Sequence, residues 1–227
     1  MAVAGKVFRV VEPADLATIA AKLKDFRVEE VYEHESGQYP LVTEVRDLMA
    51  TPSSVEGVFA QDIAYTVYHR EGPRIVVRTL EAPFMFAEHE GRLLLVVVEK
   101  KRRANNIANF FSKLLFIEVG RIVEARISPE TLRRFHEANP EDTKVIFFDN
   151  VDIPNVEKLS LYGDDLINTQ LYNEYLKHGT IWYIVFRSRR INAIVGLTRN
   201  AVVTVFTPID PRDFLAYVRA EVFPLLD

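Results

Sequence analysis

Apolar residues recur along this chain with two periods, and the change from one to the other marks out its elements. Alternation with period two, broken by turn residues, predicts strands over 5–11, 26–35, 41–48, 63–69, 74–80, 84–88 and 92–99. The breaks fall at 36–40, at Thr51-Pro52-Ser53-Ser54, at Glu71-Gly72-Pro73 and at His89-Glu90-Gly91. Helical spacing appears twice in this half. Pro13 suits a first helical position ahead of Leu16, Ile19, Ala20 and Leu23, and Ile107, Phe110, Phe111, Leu114 and Leu115 fall at i, i+3, i+4, i+7 and i+8. Residues 93–98 are apolar without alternation, which predicts a central strand covered on both faces.

A similar order follows. A strand is expected over 117–127, then Ser128-Pro129 as cap and first turn of a helix carrying Leu132. Short strands are expected over 144–148 and 156–161. Asp164 or Asp165 is placed to cap a helix through Leu166, Ile167, Leu171 and Tyr175. A meander over 181–187, 191–197 and 201–207 leads to a last helix opened by Asp210-Pro211 and burying Phe214, Leu215, Val218, Val222 and Leu225.

Two anchors align the halves: Gly5-Lys6-Val7 before Pro13-x-x-Leu16, and Gly120-Arg121-Ile122 before Pro129-x-x-Leu132. The expectation is an α+β protein of two pseudo-repeated βα…βββα halves, 1–116 and 117–227, with mainly antiparallel sheets and helices on one face. The helix over 165–176 is extra in the second half. Helices for one face leave the other apolar face in need of cover, from the other half or from a second chain. In topology alone this plan resembles pseudo-symmetric folds such as that of the TATA-box-binding protein. None of that family's motifs is present, so no residue role is transferred.

Composition narrows the chemistry. There are 227 residues, with 28 Lys+Arg against 32 Asp+Glu, so a nucleic-acid contact would need a local basic patch. The absence of cysteine excludes disulfides, thiolate metal sites and thiol nucleophiles. Residues 1–5 lack a basic signal region and the longest apolar runs, 93–98 and 181–186, are short for a membrane span, so the expected compartment is the cytoplasm, with no membrane partner. Scarce glutamine and methionine beside abundant Arg, Glu and Val match a thermophile's usage.

Three segments are candidates for function. Lys100, Lys101, Arg102 and Arg103 stand at a helix start, where cations oppose the helix dipole unless an anion sits between them and the free N–H groups. Arg187, Arg189 and Arg190 occupy a hairpin turn in the second half, with Arg199, Trp182 and Tyr183 nearby in sequence, a combination that holds phosphates and stacks bases. Both segments also suit solvated loops that keep sheet ends soluble. Asp149, Asp152, Asp164 and Asp165 form an acidic segment without the spacing of a metal signature. The five histidines are isolated, and G-x-G-x-x-G, P-loop and G-x-S-x-G motifs are absent. The expected function is therefore a non-enzymatic binding or regulatory module for an anionic partner such as nucleic acid, needing no cofactor or metal. The alternatives are a homo-oligomeric interaction or assembly protein, a homodimer among them, and a metal-dependent phosphohydrolase.

Overall fold

Two units build up the chain in the computed structural model, which describes residues 2–227. The first unit combines the segment ending at Arg9 with Val98–Asn105 and Val123–Asp227; the second is Val10–Val97 with Asn106–Ile122. The elements open with β1 (Val3–Val10), α1 (Leu16–Leu23), β2 (Arg27–His34), β3 (Gly37–Thr51), β4 (Ser54–His69), β5 (Gly72–His89), β6 (Arg92–Val97) and α2 (Lys101–Phe116). They continue with β7 (Ile122–Glu124), α3 (Pro129–Ala138), β8 (Thr143–Asp149), β9 (Leu159–Tyr162), α4 (Gln170–His178), β10 (Thr180–Ser188), β11 (Ala193–Thr198), β12 (Val202–Val205) and α5 (Pro211–Tyr217). The chain is α+β. No helix among the described residues is long and apolar enough to cross a membrane.

In the second unit β2-β3-β4-β5-β6 is an antiparallel meander. Residues opposite one another share a face, so Val55, Gly57 and Phe59 of β4 lie on the same side as Phe86, Phe84 and Ala82 of β5. The apolar stripe of α2 packs there. The Phe111 ring lies 5.5 Å from Phe59, 4.8 Å from Phe84 and 5.5 Å from Phe86, and Phe110 meets Phe26 and Phe59. Glycine suits position 57, because a Cβ would crowd the Phe84 ring at 3.0 Å and the Arg46 carbonyl oxygen at 3.1 Å.

The first unit's sheet runs β1-β12-β11-β10-β8-β9, again antiparallel. One face is buried under α3 and α4, with Phe135 on Phe186 at 4.8 Å and Phe148 between Tyr172 and Tyr175. On the other face the Tyr183 phenol covers Gly196 so closely that a Cβ would fall 2.4 Å from its oxygen. His136 of α3 is fully buried, 5.0 Å from the Tyr172 ring, and neither of its nitrogens has a hydrogen-bond partner. Burial pushes its pKa below the ordinary histidine value, against the pull of Glu137.

Several local expectations change. Pro13 precedes the first helix, whose cap is Asp15 accepting from the Thr18 N–H at 2.6 Å. The two strands expected over 74–80 and 84–88 are one continuous β5, with Pro83 paired opposite Val58. The strand expected over 117–127 shrinks to three residues, because Ile117 (φ 69°) and Gly120 (φ 86°) turn the backbone, leaving Ile117 90% exposed. The helix attributed to an aspartate cap is capped by Thr169. Asp165 instead adopts a left-handed conformation before a single 3₁₀ turn.

Two outcomes follow from this packing. Phe111→Ala empties the centre of the ring cluster and is expected to cost about 3–5 kcal/mol, read as a lowered midpoint in chemical denaturation. His136 is neutral in the folded state, whereas the unfolded chain protonates it near pH 6.5. Its contribution is therefore present above about pH 6.5 and lost as pH falls through and below that value. Between pH 7 and 5 the melting temperature should fall less for His136→Leu than for the native protein.

Candidate anion-binding site

β1 reads as an apolar strand with one anomaly, Lys6, whose side chain is completely buried. A buried ammonium requires partners, and the first unit supplies three. Lys6 Nζ donates to Asn105 Oδ1 at 2.7 Å, donates to Glu124 Oε1 in an ion pair, and lies 5.1 Å from the Phe8 ring centroid. Asn105 comes from α2, one turn beyond the basic run, and Glu124 from β7. Burial lowers the Lys6 pKa; Glu124 opposes that shift and the nearby Lys101 adds to it. Burial would raise the Glu124 pKa, but the hydrogen bond and charge of Lys6, the charge of Lys101 and the Asn105 amide together hold it below the usual carboxylate value.

Above this pair stands the start of α2. Lys101, Arg102 and Arg103 form its first turn, which contains no acidic residue. Glu99 accepts the Lys100 N–H at 2.8 Å and pairs with Arg103 at 2.7 Å. Lys100, Lys101 and Arg102 are exposed and have no carboxylate within salt-bridge distance among the described residues. First-turn N–H groups have no partner within their own helix. Three cations therefore flank a helix terminus that itself attracts negative charge.

The second basic group is arranged differently. Arg189 pairs with Asp142 at 2.7 Å and Arg190 with Glu221 at 3.2 Å. Arg187 donates to the Asn192 side chain at 3.3 Å. Arg199 grips Asp149 through two bonds of 3.1 and 2.9 Å. Strand registers separate these residues. Ser188 faces Ala193 at the end of the sheet where Val3 faces Val205, whereas Tyr183 faces Thr198 at the opposite end, where Lys6 faces Val202. The Arg187–Arg190 turn and the Lys6 end of the sheet thus point apart. Trp182 and Tyr183 belong with Arg199, whose N–H donates to the Trp182 carbonyl oxygen at 2.8 Å. They pack on Phe147, and Lys158 lies 5.0 Å from the Trp182 ring centroid.

The acidic segment is dispersed among separate partners: Asp149 to Arg199, Asp152 to His178 at 2.8 Å, and Asp164 to Lys144. No group of three or more potential ligands that could hold a metal occurs among the described residues. Sequence reasoning missed Lys6, Asn105 and Glu124 as members of one cluster. The available signal was a lysine inside a strand apolar on both sides. No protein-family model and no curated protein sequence matches the chain.

Breaking the buried pair tests its structural weight. Glu124→Leu leaves the Lys6 ammonium with Asn105 and the Phe8 ring and is expected to cost about 3 kcal/mol, the low end for breaking a buried pair because Glu124 is partly exposed. Lys6→Met combined with Glu124→Leu should recover most of that loss in denaturant titrations.

Proposed function

We propose that the protein is a non-enzymatic binding module for a phosphate-bearing partner, held at the first turn of α2 by Lys100, Lys101 and Arg102. One observation carries the reading: these are cations without carboxylate partners at the positive end of a 16-residue helix, while Arg103, Arg189, Arg190 and Arg199 are neutralised by Glu99, Asp142, Glu221 and Asp149. Beneath this turn Lys6 holds Glu124 in an ion pair, and no carboxylate lies within salt-bridge distance of Lys100, Lys101 or Arg102 among the described residues. The separation of the Arg187–Arg190 turn from this end favours a compact anionic group over a partner spanning both loops. A nucleic-acid strand would be held through its phosphates here.

The proposal extends to the chain's organisation, read as two divergent repeats, 1–116 and 117–227. Each begins with a strand and a helix, β1-α1 and β7-α3. Each closes with a meander and a helix, β4-β5-β6-α2 and β10-β11-β12-α5.

The test is a binding titration at low salt with inorganic phosphate and with a fluorescent single-stranded oligonucleotide. Alanine at 100, 101 and 102 together should weaken binding at least tenfold, and alanine at 187, 189 and 190 should leave it unchanged. Three phosphate contacts predict a slope of about −2 for log affinity against log salt on single strands. No binding by the native protein, or equal loss in both triple variants, overturns the reading.

A further inference from the structure

The sheet of the first unit has two unlike faces. Pairing runs Ala4↔Thr204, Thr204↔Gly196, Gly196↔Val185, Val185↔Val145 and Val145↔Tyr162, one row across β1, β12, β11, β10, β8 and β9. A second row on the same face holds Thr198, Tyr183, Phe147 and Ser160. Between the rows Leu197, Ile184, Ile146 and Leu161 point to the opposite side and are buried there, where Phe135 of α3 meets Phe186. The face of the two rows is more open. Tyr183, Phe147, Val145, Thr198 and Thr204 are half-buried, and Tyr162 is 67% exposed.

Aromatic rings collect on this open face. Phe147 lies 5.3 Å from Tyr183 and 5.8 Å from Tyr162, centroid to centroid. Strict alternation would send Trp182 to the side opposite Tyr183. The register of β10 against β8 shifts between Ile181 and Tyr183, however, and the Trp182 ring stands 5.9 Å from Phe147 and 5.6 Å from Tyr183. The polar groups of the two rows are hydroxyls, and neither row contains a carboxylate. Cations border the face at both ends. Lys158 lies over the Trp182 ring and has no carboxylate within salt-bridge distance among the described residues. At the β1 edge Lys6, opposite Val202 on this same face, bonds to Asn105, which holds the start of α2 with Lys100, Lys101 and Arg102 at that edge. The carboxylates at these margins are engaged: Glu124 by Lys6, Asp149 by Arg199 and Asp164 by Lys144.

We infer that this face stacks the bases of a single-stranded nucleic acid whose phosphates reach the start of α2. The inference rests on the phosphate reading of that helix start and names the ligand it takes. Ring chemistry and charge together select the occupant. Aromatic side chains stack on bases of any sequence, and cations along the border hold the backbone that joins them. The bases of a duplex are already stacked on one another, so a single strand is the form that can offer them. Five strand spacings of about 4.8 Å lie between β1 and β9, room for several bases between the cations at the two ends. A second copy laid on the same face would bring Lys158 and the α2 cations against a surface with no carboxylate in its rows. An apolar ligand would cover the rings and leave the cations without partners.

The experiment titrates the full chain at low salt with a single-stranded oligonucleotide and with an abasic strand of the same length and charge. Trp182, the sole tryptophan, is the reporter. The oligonucleotide should quench Trp182 emission and bind roughly tenfold or more tightly than the abasic strand. Tyr162→Ala, at an exposed position, should weaken the oligonucleotide by about fivefold or more and leave the abasic strand unchanged. Phe147→Leu, with circular dichroism as the folding control, should do the same. Alanine at 100, 101 and 102 together should weaken both strands alike. Equal affinity for the two strands, unchanged emission, Tyr162→Ala without effect, or a duplex bound as tightly as the single strand overturns the stacking face and leaves the phosphate reading standing. Ring-dependent binding that ignores the change at 100–102 overturns the phosphate reading and the link to it, and binding of neither strand overturns both.

Discussion

Packing of α2 against the meander is the contact on which the second unit depends. An antiparallel strand delivers alternate side chains to two faces, and a sheet becomes stable only when its apolar face loses contact with water. In the meander much of that cover is the aromatic stripe of α2, with α1 packed on β3 and β4. Phe111 sits within ring-contact distance of Phe59, Phe84 and Phe86, and Phe110 extends the cluster to Phe26. Gly57 leaves room for the Phe84 ring. The strands outrun the helix. Beyond it the same alternation continues with no cover from the chain itself, and the apolar face turns from core into surface at about Gln61.

Charge follows a comparable logic of local compensation. With acidic residues slightly in excess, several cations in the first unit find a carboxylate close by in space though distant in sequence: Lys6 with Glu124, Arg189 with Asp142, Arg190 with Glu221 and Arg199 with Asp149. Exposed pairs of this sort contribute little to stability. Their effect is to remove positive potential where they form, while Lys100, Lys101 and Arg102 stand together at the start of α2 without an ion pair among the described residues. The buried Lys6–Glu124 pair differs from the others, since Lys6 has no water and depends on Glu124, Asn105 and the Phe8 ring. It also ties β1, β7 and the beginning of α2 together, and so fixes where the three exposed cations stand.

Much of this was legible in the residues. The period-3.6 stripe at Ile107, Phe110, Phe111 and Leu115 placed α2 and its buried face, and the Ser128-Pro129 and Asp210-Pro211 pairs placed two helix starts. The apolar run at 93–98 marked β6, which is buried from Leu93 to Val97. Expectation and structure diverge where a local signal was overruled. Separate strands are expected on either side of 81–83, yet β5 runs through Pro83 because Ala82 and Phe84 beside it stay paired with β4. At 117–120 apolar alternation reads as strand, yet positive φ at Ile117 and Gly120 ends it.

The sequence by itself determined the class of fold, the identity of its helices and the location of its basic segments, because periodicity and capping are properties of neighbours along the chain. Tertiary structure decided which of those cations are neutralised: Arg103 meets Glu99 four residues back, but Arg190, Arg189 and Arg199 meet carboxylates 31, 47 and 50 residues away, brought there by strand pairing and helix docking. It alone decided, too, that one face of the meander outlasts its cover, because strand length is set by the partner strand and helix reach by a different stretch of chain.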